Sequence, residues 1–110
     1  MAKPLLWVGS SKRDLLAMPK KVKRAFGHDL NEVQEGRTPE SAKAFTQVGG
    51  GVMEIVEDHD RSTYRAMYTA KLANAVYVLH CFQKKSEKTS QRDIELAKTR
   101  FKAVPKSPGK

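Results

Sequence analysis

Between Val52 and Lys84 three runs rich in β-branched and aromatic residues follow one another: Val52 to Glu57, Tyr64 to Lys71 and Ala75 to Lys84. The links between them, DHDRST and the few residues around Leu72, Ala73 and Asn74, are too short to hold a crossover helix. Three strands joined in this way lie antiparallel as neighbours. This meander constrains the fold more than any other feature, because the remaining apolar segments have to cover its faces.

The flanks supply those segments. Leu5 to Val8 reads as a short strand, and Gly9 with Ser10 and Ser11 opens a short helix carrying Leu15, Leu16 and Met18. Pro19 serves as the first residue of a second helix, with Val22, Phe26, Leu30 and Val33 on one face and Gly36 as its stop. The two helices form a hairpin. Arg37 to Gly51 is polar and ends in three glycines, a loop able to bring backbone close to another group. After the meander, Ser90 with Asp93 marks a helix start, and Ile94, Ala97, Phe101 and Val104 recur at helical spacing until Pro105. The expected order is strand, two helices, three strands, helix: an α/β chain with one domain over residues 1–105 and a loose basic tail over 106–110.

A chain of 110 residues buries one layer of helices against one sheet and little more. Its 39% hydrophobic and 30% charged residues suit a folded globular protein rather than a disordered one. Cys81 is the single cysteine, which excludes an intramolecular disulfide. No secretory leader or membrane-length apolar run is visible, so the expected location is cytoplasmic, with no membrane partner. The net charge of +9 is regional: residues 1–60 hold nine Lys/Arg and nine Asp/Glu, and residues 61–110 hold twelve and three. Such a surplus favours a polyanionic partner, although a charged face also serves plain solubility.

Candidate chemistry follows from spacing. Lys20, Lys21, Lys23 and Arg24 load the start of the second helix with cations, against its dipole; either a phosphate chain offsets the repulsion or the side chains splay into solvent. Alternation puts Arg65, Met67 and Thr69 on one face of one strand, and Val76, Val78, His80, Phe82 and Lys84 on one face of the next. A turn centred between Leu72 and Ala73 sets Arg65 opposite His80, with Lys84 and Lys85 further along. An arginine beside a histidine and lysines can cleave RNA without a metal, by moving protons and neutralising the phosphorane. A lone strand histidine is equally at home as a packing residue, and Tyr64, Tyr68 and Tyr77 read as core or sheet surface. His28 and His59 lack ligand-spaced partners, and no phosphate loop, dinucleotide fingerprint or nucleophile elbow occurs, so neither a metal nor a cofactor is expected.

The stretches KPLLWVGSSKRDL, GGGVMEIVEDHD, TYRAMYT and AVYVLHCFQKKSEKT closely resemble the phage-derived, HigB-like branch of the RelE/ParE toxin superfamily. The resemblance implies an α+β, RelE-like fold: a small antiparallel-dominated sheet with an N-terminal helical hairpin on one face and a C-terminal helix. It implies a type II toxin that acts as an mRNA endoribonuclease on ribosome-bound transcripts. Its partner would be an antitoxin with a helix-turn-helix domain, and DNA would be reached only through that complex. Arg65 matches the phosphate-contacting arginine, and His80, Lys84 and Lys85 fall where nuclease members carry acid/base or charge-stabilising groups. Lys43 lies in the loop that is basic in others. On this reading Arg65, His80 and Lys85 are catalytic. Lys43, Lys84, Lys20, Lys21 and Phe82 contact RNA, with Phe82 either stacking on a base or packing. The sequence departs from RelE-type nucleases in offering lysines for an arginine near the strand end and no tyrosine after Tyr77. The same fold also serves ParE-like gyrase inhibitors and could serve a nucleic-acid-binding phage accessory protein.

Overall fold

The computed structural model describes residues 2–71, 74–85 and 88–105. The expected 106–110 tail and the turn centre at Leu72 and Ala73 lie outside them. Strand β1 (Leu5–Trp7) leads into helices α1 (Ser11–Leu16) and α2 (Lys20–Gln34). Strands β2 (Lys43–Ala44), β3 (Val52–His59), β4 (Ser62–Thr69) and β5 (Val76–Lys84) follow, then helix α3 (Gln91–Ala103). The sheet order is β1-β5-β4-β3-β2, with β1 parallel to β5 and every other pair antiparallel. The chain thus has the expected α+β, RelE-like architecture.

Local chemistry accounts for most boundaries. Gly36, at φ +88°, takes the left-handed conformation that ends α2, and its N–H donates to the Val33 carbonyl at 3.0 Å. Ser90 caps α3: its hydroxyl accepts from Asp93 N–H at 3.1 Å and donates to the Asp93 carboxylate at 2.8 Å. The link between β3 and β4 is tighter than expected. The strands run to His59 and restart at Ser62, leaving only Asp60 (φ 53°) and Arg61 (φ 69°) as a two-residue turn of the type that matches strand twist. This turn sets Glu54 opposite Met67 and Val56 opposite Arg65. Lys43 and Ala44, expected in a loop, form a two-residue strand on the outer edge of β3.

The sheet is covered on both faces, rather than by a single helical layer. On one face α1 and α2 bury Leu15, Val22, Phe26 and Leu30 against Ile55, Ala66, Val76 and Val78. On the other, Ile94 and Ala97 of α3 pack with Val48, Val52, Met67 and Leu79. Each such side chain taken from water contributes roughly 1.5–3 kcal/mol, so a second core of this size explains how a short chain holds a five-stranded sheet. Gly49 serves it: a Cβ there would run into the Phe101 ring, the close approach the glycine run suggested.

The pairing of β4 with β5 differs from expectation. The register passes from Met67↔His80 to Tyr68↔Val78, so Leu79 is an extra residue in β5. Alternation breaks there. Val76 and Val78 point into the core under α1 and α2, whereas Leu79 and Phe82 belong to the core under α3. The irregularity is held by groups outside the ladder. The Val78 carbonyl accepts from Val8 N–H at 2.9 Å and from the buried Ser11 hydroxyl at 3.0 Å, and the Leu79 carbonyl accepts from Arg100 Nη1 at 3.0 Å. Arg100 also donates from Nη2 to Ser10 Oγ at 2.9 Å and lies where a Cβ on Gly9 would stand.

Candidate functional site

The β3, β4 and β5 registers turn one row of side chains toward α3: Glu54 on β3, Arg65 and Met67 on β4, His80 and Phe82 on β5. Arg65 sits across from Phe82, and His80 across from Met67. The expectation that Arg65 and His80 are direct partners is therefore corrected. The pairing nearest the turn, Thr69↔Tyr77, is already one residue from the expected register, and the Leu79 bulge adds one more, which keeps both groups on the same face but one step apart along it.

Each finds a different acid. Arg65 Nη1 donates to Glu54 Oε1 in an ion pair whose carboxylate side chain is 4% exposed and whose guanidinium side chain is 18% exposed. His80, only 5% exposed, places Nε2 at 2.8 Å from Asp93 Oδ1 and stacks on Phe82, with ring centroids 4.5 Å apart. Burial pushes the His80 pKa below its ordinary value. The Asp93 hydrogen bond and charge oppose that shift, as does Asp14, while Arg100 adds to it. Among the described residues, the buried side-chain polar atoms without a partner are Glu54 Oε2, Arg65 Nε and His80 Nδ1. All three belong to this row, and unsatisfied buried polar atoms are uncommon in folded proteins.

Arg65 reaches an open groove of about 510 Å³ between the end of the meander and the start of α3. Phe45, Gln47, Lys84, Lys88, Thr89, Gln91 and Ile94 complete its lining. Three cations and, among the described residues, no carboxylate line that space, a composition suited to a phosphodiester and hostile to cationic ligands. The structure thus brings Arg65 and Lys84 together. Lys43 is exposed and stands opposite Glu54 across β2 and β3. Lys85 is exposed just past β5 and is not part of the groove lining. Phe82 is 9% exposed and packed against His80, the packing alternative of the two weighed for it. Lys20 and Lys21 are exposed at the start of α2, whose apolar side covers the opposite face of the sheet.

Sequence reasoning missed Glu54, Gln47, Lys88 and Asp93 as site residues. The signal for Glu54 was present: a two-residue turn at Asp60 and Arg61 puts it diagonally across from Arg65, within reach of a long side chain. Asp93 was identified as a capping residue, but its contact to His80 depends on where α3 docks.

A family model described as phage-derived protein Gp49-like matches residues 13–102. The chain belongs to the Gp49-like family. This family falls within the RelE/ParE-like group of toxin-antitoxin toxins. The matched span of the Gp49-like chain runs from α1 to the end of α3 and includes Glu54, Arg65, His80, Lys84 and Asp93. No curated protein gives a significant match. Among the described residues of this Gp49-like protein, no helix is long and apolar enough to cross a membrane.

Proposed function

We propose that this Gp49-like protein is a HigB-like toxin of a type II pair, and that it cleaves mRNA without a metal in the groove beside Arg65. The observation carrying this reading is the pairing of Arg65 with Lys84 on the lining of one open groove, where no described residue contributes a carboxylate. In such a cleavage the 2′-oxygen attacks the adjacent phosphorus as its proton passes to a solvent water. Negative charge then accumulates on the phosphorane, and the bond to the 5′-oxygen breaks as that oxygen takes a proton. The products are a 2′,3′-cyclic phosphate and a 5′-hydroxyl. Arg65 supplies the charge stabilisation and Lys84 the proton to the leaving oxygen; Lys85, Lys43 and the helix cations Lys20 and Lys21 neutralise flanking phosphates.

His80 has a different part from the proton transfer first assigned to it. With Nε2 on Asp93 and the ring enclosed, it anchors the start of α3 against β5 and so shapes the groove wall. The cytoplasmic partners under this reading are ribosome-bound mRNA and an antitoxin with a helix-turn-helix domain that silences the toxin.

The test is induction in growing cells with mapping of transcript ends. New 5′-hydroxyl ends within coding regions at the onset of arrest are expected. Arrest with intact transcripts and a DNA-damage response would instead establish gyrase inhibition, and the absence of any arrest would remove the toxin reading.

A further inference from the structure

We propose that Glu54 is a positioning residue for catalysis, orienting the Arg65 guanidinium toward the RNA phosphate while weakening ground-state binding of that phosphate. The proposal rests on the nuclease reading above and assigns it a residue outside the groove lining. Glu54 is 3% exposed and stands across from the buried Met67 of the core under α3. Replacing a buried ion pair by well-packed apolar groups is often neutral or stabilising, so stability gives a weak reason for this carboxylate. The pair is also incompletely satisfied, with Glu54 Oε2 and Arg65 Nε both buried and unpartnered.

Geometry supplies the reason. Arg65 is held by Nη1 on Glu54 and enclosed at Nε, while its side chain lines the groove. A guanidinium fixed at one corner presents its remaining amino group in one direction, and phosphorane stabilisation depends on donors already aimed at where charge develops. The same carboxylate, carrying negative charge one guanidinium away from the substrate, opposes phosphate binding. Orientation and repulsion act on different steps: the first raises kcat, the second raises KM.

Glu54→Gln keeps the side-chain shape and removes the charge. Affinity for an oligoribonucleotide blocked by a 2′-deoxy substitution at the cleavage site is expected to tighten by roughly 2–5-fold as the nearby negative charge is lost. The single-turnover cleavage rate is expected to fall by roughly 10²-fold as the guanidinium loses its fixed orientation. A structural role alone would not move binding and cleavage in opposite directions. Thermal melting of the same protein checks that it is folded. If Glu54→Gln does not fold, Glu54→Asp replaces it: charge is retained but the reach is shortened, so cleavage should drop with binding unchanged. Parallel loss of binding and cleavage, or cleavage at the wild-type rate in a folded variant, would overturn the proposal. The binding arm needs no cleavage, so unchanged affinity in folded Glu54→Gln also overturns it. A wild-type protein that cuts no RNA defeats the nuclease reading separately.

Discussion

His80 Nε2 stands 2.8 Å from Asp93 Oδ1, so the residue whose other oxygen accepts from the Ser90 cap of α3 also holds the buried imidazole of β5. The contact joins two elements from opposite sides of the groove mouth. Burial of the imidazole, which this contact only partly offsets, makes the fold sensitive to acid. Burial holds the His80 pKa below 6.5, so at pH values under 6.5 the unfolded chain binds a proton that the folded chain resists. Stability should therefore fall as pH drops from 6.5 toward the depressed folded value, then level off. Asp29, whose pKa burial raises above 3.8, acts with the opposite sign and closer to pH 4. Urea unfolding between pH 7.5 and 5 measures the effect, and His80→Gln should flatten that slope; an equally steep slope in the variant would refute the assignment.

Arg65→Ala, which removes the proposed phosphorane stabiliser, should also destabilise the protein. It strands the Glu54 carboxylate in the core, and breaking a buried pair from one side costs about 3–5 kcal/mol; the 18% exposure of the arginine side chain keeps the figure at the low end. The double change Arg65→Met with Glu54→Gln should recover most of that loss. Arg65→Lys should fold and lose toxicity, since an ammonium cannot hold Glu54 and present a second fixed donor together. Denaturation midpoints and a growth assay on the four proteins decide this.

Cys81 is 2% exposed, and burial pushes its thiol pKa up to about 12. The thiolate is the reactive form, so native protein at pH 8 should resist iodoacetamide and react only after unfolding. Rapid alkylation of the native chain, read by mass spectrometry, would contradict the placement of β5.

Arg61 holds φ at 69° in the turn between β3 and β4, a conformation that strains a side chain and suits glycine. Arg61→Gly should stabilise the protein by about 1 kcal/mol and raise the melting temperature by roughly 4 °C. A fall in melting temperature would show that Arg61 makes contacts that outweigh the turn strain.

RNA affinity should fall steeply with salt, and Lys84→Ala should flatten the slope of log K against log salt by roughly one phosphate contact. A slope unchanged by Lys84→Ala would place the RNA elsewhere. The paired variant Lys20→Ala with Lys21→Ala tests whether the strand reaches around the sheet to α2: a flatter slope supports their role with flanking phosphates, and an unchanged one removes it.

Local rules carried the sequence reading a long way. The meander, the apolar stripe of α2 ending at Gly36, the Ser90 cap of α3 and the shared face of Arg65 and Met67 depend on neighbours in the chain. Each was legible from residue type and spacing. The two-residue turn at Asp60 and Arg61 was legible in principle, but neither residue is the glycine that usually announces it.

What the amino-acid sequence determined by itself was the set of elements, their antiparallel order and the basic character of the second half. Tertiary structure decided which polar groups meet. The bulge at Leu79 is held by Ser11, 67 residues away from Val78, and by Arg100, 21 residues away from Leu79. No local pattern encodes such contacts. Because side chains alternate with period two, one extra residue reassigns every partner beyond it. A register one residue from the expected one at Thr69↔Tyr77, together with this extra residue, sets Arg65 across from Phe82 and one step from His80. The docking of α3 then gives the imidazole to Asp93 and leaves the guanidinium to Glu54 and the groove.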